Sequence, residues 1–134
     1  MNKNLPQWKK RLDIVNIIYR DILTNHNSDK LKNKEYTFDS EEFTYNQLKI
    51  IENYFQNYDS YKQKIIVLLD ESWSWERVNP YTKALIMCAI AEHNAINTKK
   101  AIIIDQALKT CDHRGLIKDK KFINAILEKM LKIK

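Results

Sequence analysis

Glycine occurs once in this chain of 134 residues, at Gly115, and proline only twice, at Pro6 and Pro80. Tight hairpins and phosphate-cradling loops both lean on glycine for backbone with positive φ, so a chain this poor in glycine can build few of either. No run alternates apolar and polar residues in the manner of a half-buried strand. The expected class is therefore all-α, and the length suits one domain, residues 1–134, with a single sizeable core.

Apolar residues recur at three- and four-residue spacing along most of the chain, and the pattern predicts six or seven helices. The first is expected from about Pro6 to Thr24, with Trp8, Leu12, Val15, Ile18, Tyr19 and Ile22 on one stripe. Residues 25–38 are polar and unpatterned and read as a connection or a short extra turn. A second helix is expected to start near Asp39 or Ser40 and to carry Phe43, Leu48, Ile51, Tyr54, Phe55 and Tyr58. A third is expected at Ser60, where Ser60 and Gln63 have capping-box spacing, and it ends before ESWSWERV. Asn79-Pro80 opens a helix to about residue 95 that is apolar on much of its circumference, which places it in the middle of a bundle. Thr98 is the expected cap of the next helix, and Gly115 its left-handed stop. The closing helix contains KKFINAILEK, residues 120–129, where Asn124 interrupts the stripe of Phe122, Ile123, Ile126, Leu127 and Met130.

The formal net charge is +6, but lysine outnumbers arginine nearly five to one, as an AT-rich genome would produce whatever the function. Distribution is more informative than the total. Residues 1–20 carry Lys3, Lys9, Lys10, Arg11 and Arg20 against Asp13, residues 118–134 carry six lysines against two acids, and residues 39–76 are net acidic. Such a layout points to an anionic partner at the chain ends.

Several chemistries are excluded. One glycine allows no phosphate-binding loop, and His26, His93 and His113 pair neither with one another nor with cysteine at metal-ligand spacing. Cys88 and Cys111 sit in helical apolar patterns and read as buried free thiols in a reducing cytoplasm. Glu92 and His93 are neighbours and point to different faces of a helix, so a solvated or capping role is expected rather than acid–base work. No apolar run reaches the length of a membrane span, and the N-terminus lacks the apolar core of a signal peptide. A binding protein, without cofactor and without enzymatic activity, is the expectation.

Three motifs in order, KALIMCAIAEH (83–93), AIIIDQALKTCDHRG (101–115) and KKFINAILEK (120–129), resemble those of the NusB family of transcription antitermination factors. Gly115 falls at the family glycine, and Phe122, Asn124, Leu127 and Lys129 fall at their counterparts in the closing motif. WSWERV (73–78) is similar to the family lead-in through Trp73, Arg77 and Val78, and KKRLDIVNIIY (9–19) to its first helix through Arg11, Val15, Ile18 and Tyr19. The chain departs from the family at Ala125, where a glycine is usual, at Asp105-Gln106, at Ile117 and Lys118, and in an arginine-rich opening reduced to Lys9, Lys10 and Arg11.

The resemblance implies two packed three-helix bundles, residues 1–72 and 73–134, and a cytoplasmic protein that binds single-stranded, boxA-like RNA of ribosomal RNA operons. It implies action with ribosomal protein NusE in the transcription elongation complex. Lys9, Lys10 and Arg11 are the RNA candidates it carries over, with Lys3 as an addition and Asn16 at the family glutamine position. Trp73, Arg77, Gly115, Phe122 and Asn124 are the structural candidates, with the Asn124 amide turned toward backbone of an adjacent loop or helix end. Each has a plainer rival: terminal lysines are commonly solvated, Asn16 can simply face water, and Trp8 fits the core stripe of its helix. Trp73 and Trp75 are expected to pack at the joint between bundles. A protein-interaction module or homodimer without selective RNA binding is the alternative reading. The NusB-like domain of a ribosomal RNA cytosine methyltransferase is set aside, because no catalytic domain is expected to follow.

Overall fold

The computed structural model describes residues 7–27, 43–69 and 71–131. Those residues form five α-helices and no strand: α1 (Gln7–Leu23), α2 (Tyr45–Leu68), α3 (Pro80–Ile96), α4 (Lys100–Arg114) and α5 (Lys120–Met130). Short 3-10 turns at Trp75–Arg77 and Ile117–Asp119 lead into α3 and α5. The all-α class expected from the sequence is the class observed.

The helix count differs because the expected second and third helices are one. Residues 45–68 run without a break through Ser60, so the Ser60–Gln63 spacing caps nothing. The working capping box lies earlier. Thr44 accepts from the Gln47 backbone N–H at 3.2 Å, and the Gln47 side-chain oxygen accepts from the Thr44 N–H at 2.8 Å. Gln47 is buried, and its amide nitrogen also donates to the Lys10 carbonyl at 3.1 Å, which fastens the start of α2 to the first turns of α1. The expected start at Asp39 or Ser40 lies outside the described residues.

The Asn79 side chain caps α3 by accepting from the Tyr81 N–H at 2.8 Å, with Pro80 in the first turn. From Ala84 to His93 every residue of α3 is buried, and α3 packs against all four other helices. Ile86, Met87 and Ile90 are each almost wholly enclosed, and each contributes about 1.5–3 kcal/mol of hydrophobic stabilisation. The same core takes in Ile14, Ile17 and Ile18 of α1, Ile51, Tyr54 and Ile65 of α2, and Ile123 and Leu127 of α5. Cys88 and Cys111 are free and buried in it, as expected. Burial pushes both thiols up, Cys111 to about 11.

The C-caps of α3 and α4 are left-handed. Gly115 closes α4 at φ 70°, as its place in the sequence requires, and Asn97 closes α3 at φ 60°. Thr98 does not cap α4; the N-cap position is Lys99, without a side-chain bond, and the Thr98 carbonyl instead accepts from Nδ1 of His93 at 2.8 Å. His93 is buried, so it caps the turn from within rather than facing solvent.

Candidate nucleic-acid interface

The first turns of α1 carry the basic segment, and three contacts fix their position. One is the Gln47 bond to the Lys10 carbonyl. The second is an ion pair: Arg11 donates from Nε and Nη2 to the two carboxylate oxygens of Glu92, each at 2.8 Å. The Glu92 side chain is 4% exposed and that of Arg11 21%. The hydrogen bond to Glu92, more than the opposing burial, holds the Arg11 guanidinium above its ordinary pKa. Glu92 is thus neither solvated nor an acid–base group but the inward anchor of α1.

The third contact is aromatic. Trp8 stacks on His113 of α4 with centroids 5.9 Å apart and planes 12° from parallel. Trp8 is 44% exposed, so it is not the core residue its stripe suggested. It sits one helical turn before Leu12, where α1 runs beyond the core, and its ring lies on the end of α4 instead. The Lys9 ammonium is 5.7 Å from the Trp8 ring centroid, and Lys9 is exposed. Further along the same junction the Arg114 guanidinium lies 5.6 Å from the Tyr81 ring, and Tyr81 meets Tyr19 edge to face at 5.3 Å. On the other side of the segment a groove runs between α1 and the start of α2, lined by Gln7, Lys10, Thr44, Tyr45 and Asn46. Tyr45 is exposed there, with the Lys49 ammonium 5.5 Å from its ring.

The sequence-derived residues separate into groups. Lys9, Lys10 and Arg11 share the first turns of α1; Asn16 is half-buried further along; Lys3 lies outside the described residues. Trp73, Arg77, Gly115 and Phe122 gather around one surface depression where α4 ends and α5 begins. Trp73 stacks on Phe122 at 4.9 Å and 20° while remaining half-exposed, and Trp75 is the buried member of the pair. Asn124 is half-buried on α5, and among the described residues its amide forms no hydrogen bond to a loop or helix end. The sequence reading gave His113 no part in an interface. The place of His113 beside Trp8 depends on how α4 meets α1, which no local pattern encodes. Among the described residues no group of three or more His, Cys, Asp or Glu side chains is placed to hold a metal. No helix there is long and apolar enough to cross a membrane.

The arrangement is a fold of NusB type. A solved structure of a conserved hypothetical protein from Mycoplasma genitalium, described as showing structural homology to NusB proteins, superposes with a TM-score of 0.72. The match covers 87% of this chain and 92% of that one at 24% sequence identity. The NusB family's sequence profile matches residues 9–132, and the chain belongs to the NusB family. Two curated relatives are similar over a shorter stretch. The uncharacterized protein MG027 homolog of Mycoplasma pneumoniae is 40% identical over 58 residues, and the uncharacterized protein MG027 of Mycoplasma genitalium 36% over 58 residues. Each stretch is 43% of this chain and spans 34% and 38% of those relatives' lengths.

Proposed function

We propose that this protein binds single-stranded, boxA-like RNA and acts with ribosomal protein NusE in transcription antitermination of ribosomal RNA operons. The observation that carries the reading is the fixed first turn of α1. Arg11 and Gln47 hold it in place while Lys9 remains exposed beside an exposed ring. Cations presented on an organised helix end meet phosphates, and rings beside them meet unpaired bases. Lys9 and Lys10 take the phosphate contacts in this reading, Asn16 is a hydrogen-bonding candidate on the same helix, and Lys3 adds charge. Arg11 serves mainly by holding the segment through Glu92. NusE as the protein partner rests on the family alone.

A second reading, a protein-interaction module or homodimer without selective RNA binding, draws on a different depression, between the end of α4 and the start of α5. There the half-exposed Trp73 and the exposed Ile117 stand next to Phe122. One titration separates the two: a boxA-like RNA and a scrambled strand, with and without NusE, at two salt concentrations. The RNA reading expects preference for the boxA-like strand, affinity that falls steeply with salt, and a log–log salt slope reduced by about one for each of Lys9→Ala and Lys10→Ala. Equal binding of both strands under every condition overturns it in favour of the second.

A further inference from the structure

The geometry points to the Trp8–His113 pair as a base-stacking platform that selects unpaired nucleotides, an inference that rests on the RNA reading above. An exposed ring on its own needs no explanation, since single apolar side chains are common on protein surfaces. This one differs in its company. Two flat rings from separate helices lie nearly parallel at 5.9 Å, and both residues are exposed. The stack covers one face of each ring and fixes their orientation, and both residues still reach solvent, where a base can extend the stack. The ammonium of Lys9 sits 5.7 Å from the Trp8 centroid, and the next residue of α4, Arg114, is a second exposed cation.

A single strand alternates a flat base with an anionic phosphate, and the surface alternates in the same way: ring pair, then cation. Bases within a duplex keep both faces covered by their neighbours, so a platform of this kind rejects paired RNA without reading any base edge. The rival role for the pair is mechanical, fastening α1 to α4. That role predicts a change in stability and no dependence on whether the strand carries bases.

The test compares the wild-type protein with Trp8→Ala, Trp8→Phe, His113→Ala and Lys9→Ala. Each is titrated with the boxA-like strand, the same strand with abasic sites, and its duplex, with thermal unfolding recorded in parallel. Trp8→Ala is expected to weaken binding of the intact strand about tenfold with the salt slope unchanged, and to leave the abasic strand bound as by wild type. Trp8→Phe, which keeps a ring, is expected to restore most of the loss, and His113→Ala to give a smaller loss than Trp8→Ala. Lys9→Ala is expected to lower the salt slope instead. Undiminished binding of the intact strand by Trp8→Ala, or equal losses on intact and abasic strands, overturns the platform and leaves the RNA reading standing. Failure of wild type to bind the intact strand removes both.

Discussion

Arg11 and Glu92, 81 positions apart in the sequence, meet through two hydrogen bonds of 2.8 Å each. The pair is lopsided: the carboxylate is almost wholly enclosed and the guanidinium partly reaches water. Arg11→Ala therefore strands a buried negative charge, and the expected loss is about 2–4 kcal/mol of unfolding free energy in urea titrations. Removing both charges together, as Arg11→Met with Glu92→Leu, is expected to recover most of it. If Arg11→Ala unfolds at the wild-type urea concentration, the pair does not anchor α1.

A second prediction concerns alkaline pH. The Tyr54 hydroxyl donates to Asp21 at 2.6 Å, and Asp21 also faces Nδ1 of His26 at 2.5 Å. Burial first, and then the bond to Asp21, push the Tyr54 pKa well above its ordinary value of 10. The folded state thus holds the phenolic proton more tightly than the unfolded chain does. That contribution is complete below pH 10 and is lost as pH rises through the higher folded value. Denaturation measured across this range is expected to show falling stability. Tyr54→Phe should be less stable at neutral pH by about 1–3 kcal/mol and should decline less steeply above the phenol range. Parallel alkaline slopes for the two proteins would exclude Tyr54 as the source.

Gly115 isolates a backbone effect. A Cβ built at this position meets nothing within 4 Å, yet φ is 70°. Gly115→Ala is expected to cost about 1 kcal/mol from the left-handed conformation alone, and Gly115→Asn less. Thermal unfolding that ranks alanine level with glycine would mean the chain leaves α4 by another conformation.

Asn124 is expected to be tolerant. Its amide lacks a hydrogen-bond partner among the described residues and its side chain is half-buried, so Asn124→Leu should move the unfolding free energy by no more than about 0.5 kcal/mol. A loss of several times that size would show that the amide does bond in solution.

What could be read in advance followed how local the determinant is. The Asn79-Pro80 start, the Gly115 stop and the all-round burial of α3 are written in adjacent residues, and the structure has them. The capping box at Thr44–Gln47 is equally local, whereas the Ser60–Gln63 spacing is harmless inside a helix that packing holds straight. Glu92 and Trp8 were misplaced for a different reason. Helical periodicity ranks faces by hydropathy, so a charged residue with a buried partner is assigned to water, and a tryptophan to the core. Only the approach of α1 to α3 and α4 decides otherwise, and that approach depends on residues some 80 to 100 positions away. The candidate interface was accordingly half legible: its cations could be named from the sequence, while the ring partner His113 and the anchor Glu92 could not.

The double engagement of Gln47 has a consequence for how a ligand is received. One side chain closes the end of one helix and clasps the main chain of another, so unravelling either would loosen both. Under the proposed RNA reading, the ordering cost of the cationic turn is met when the protein folds and not when a strand arrives, which favours tight capture by few contacts. Conversely, any bound strand that stiffens this turn should slow the fraying of α2 from its first residues, an effect visible as added protection of the Gln47 and Leu48 amides from hydrogen exchange.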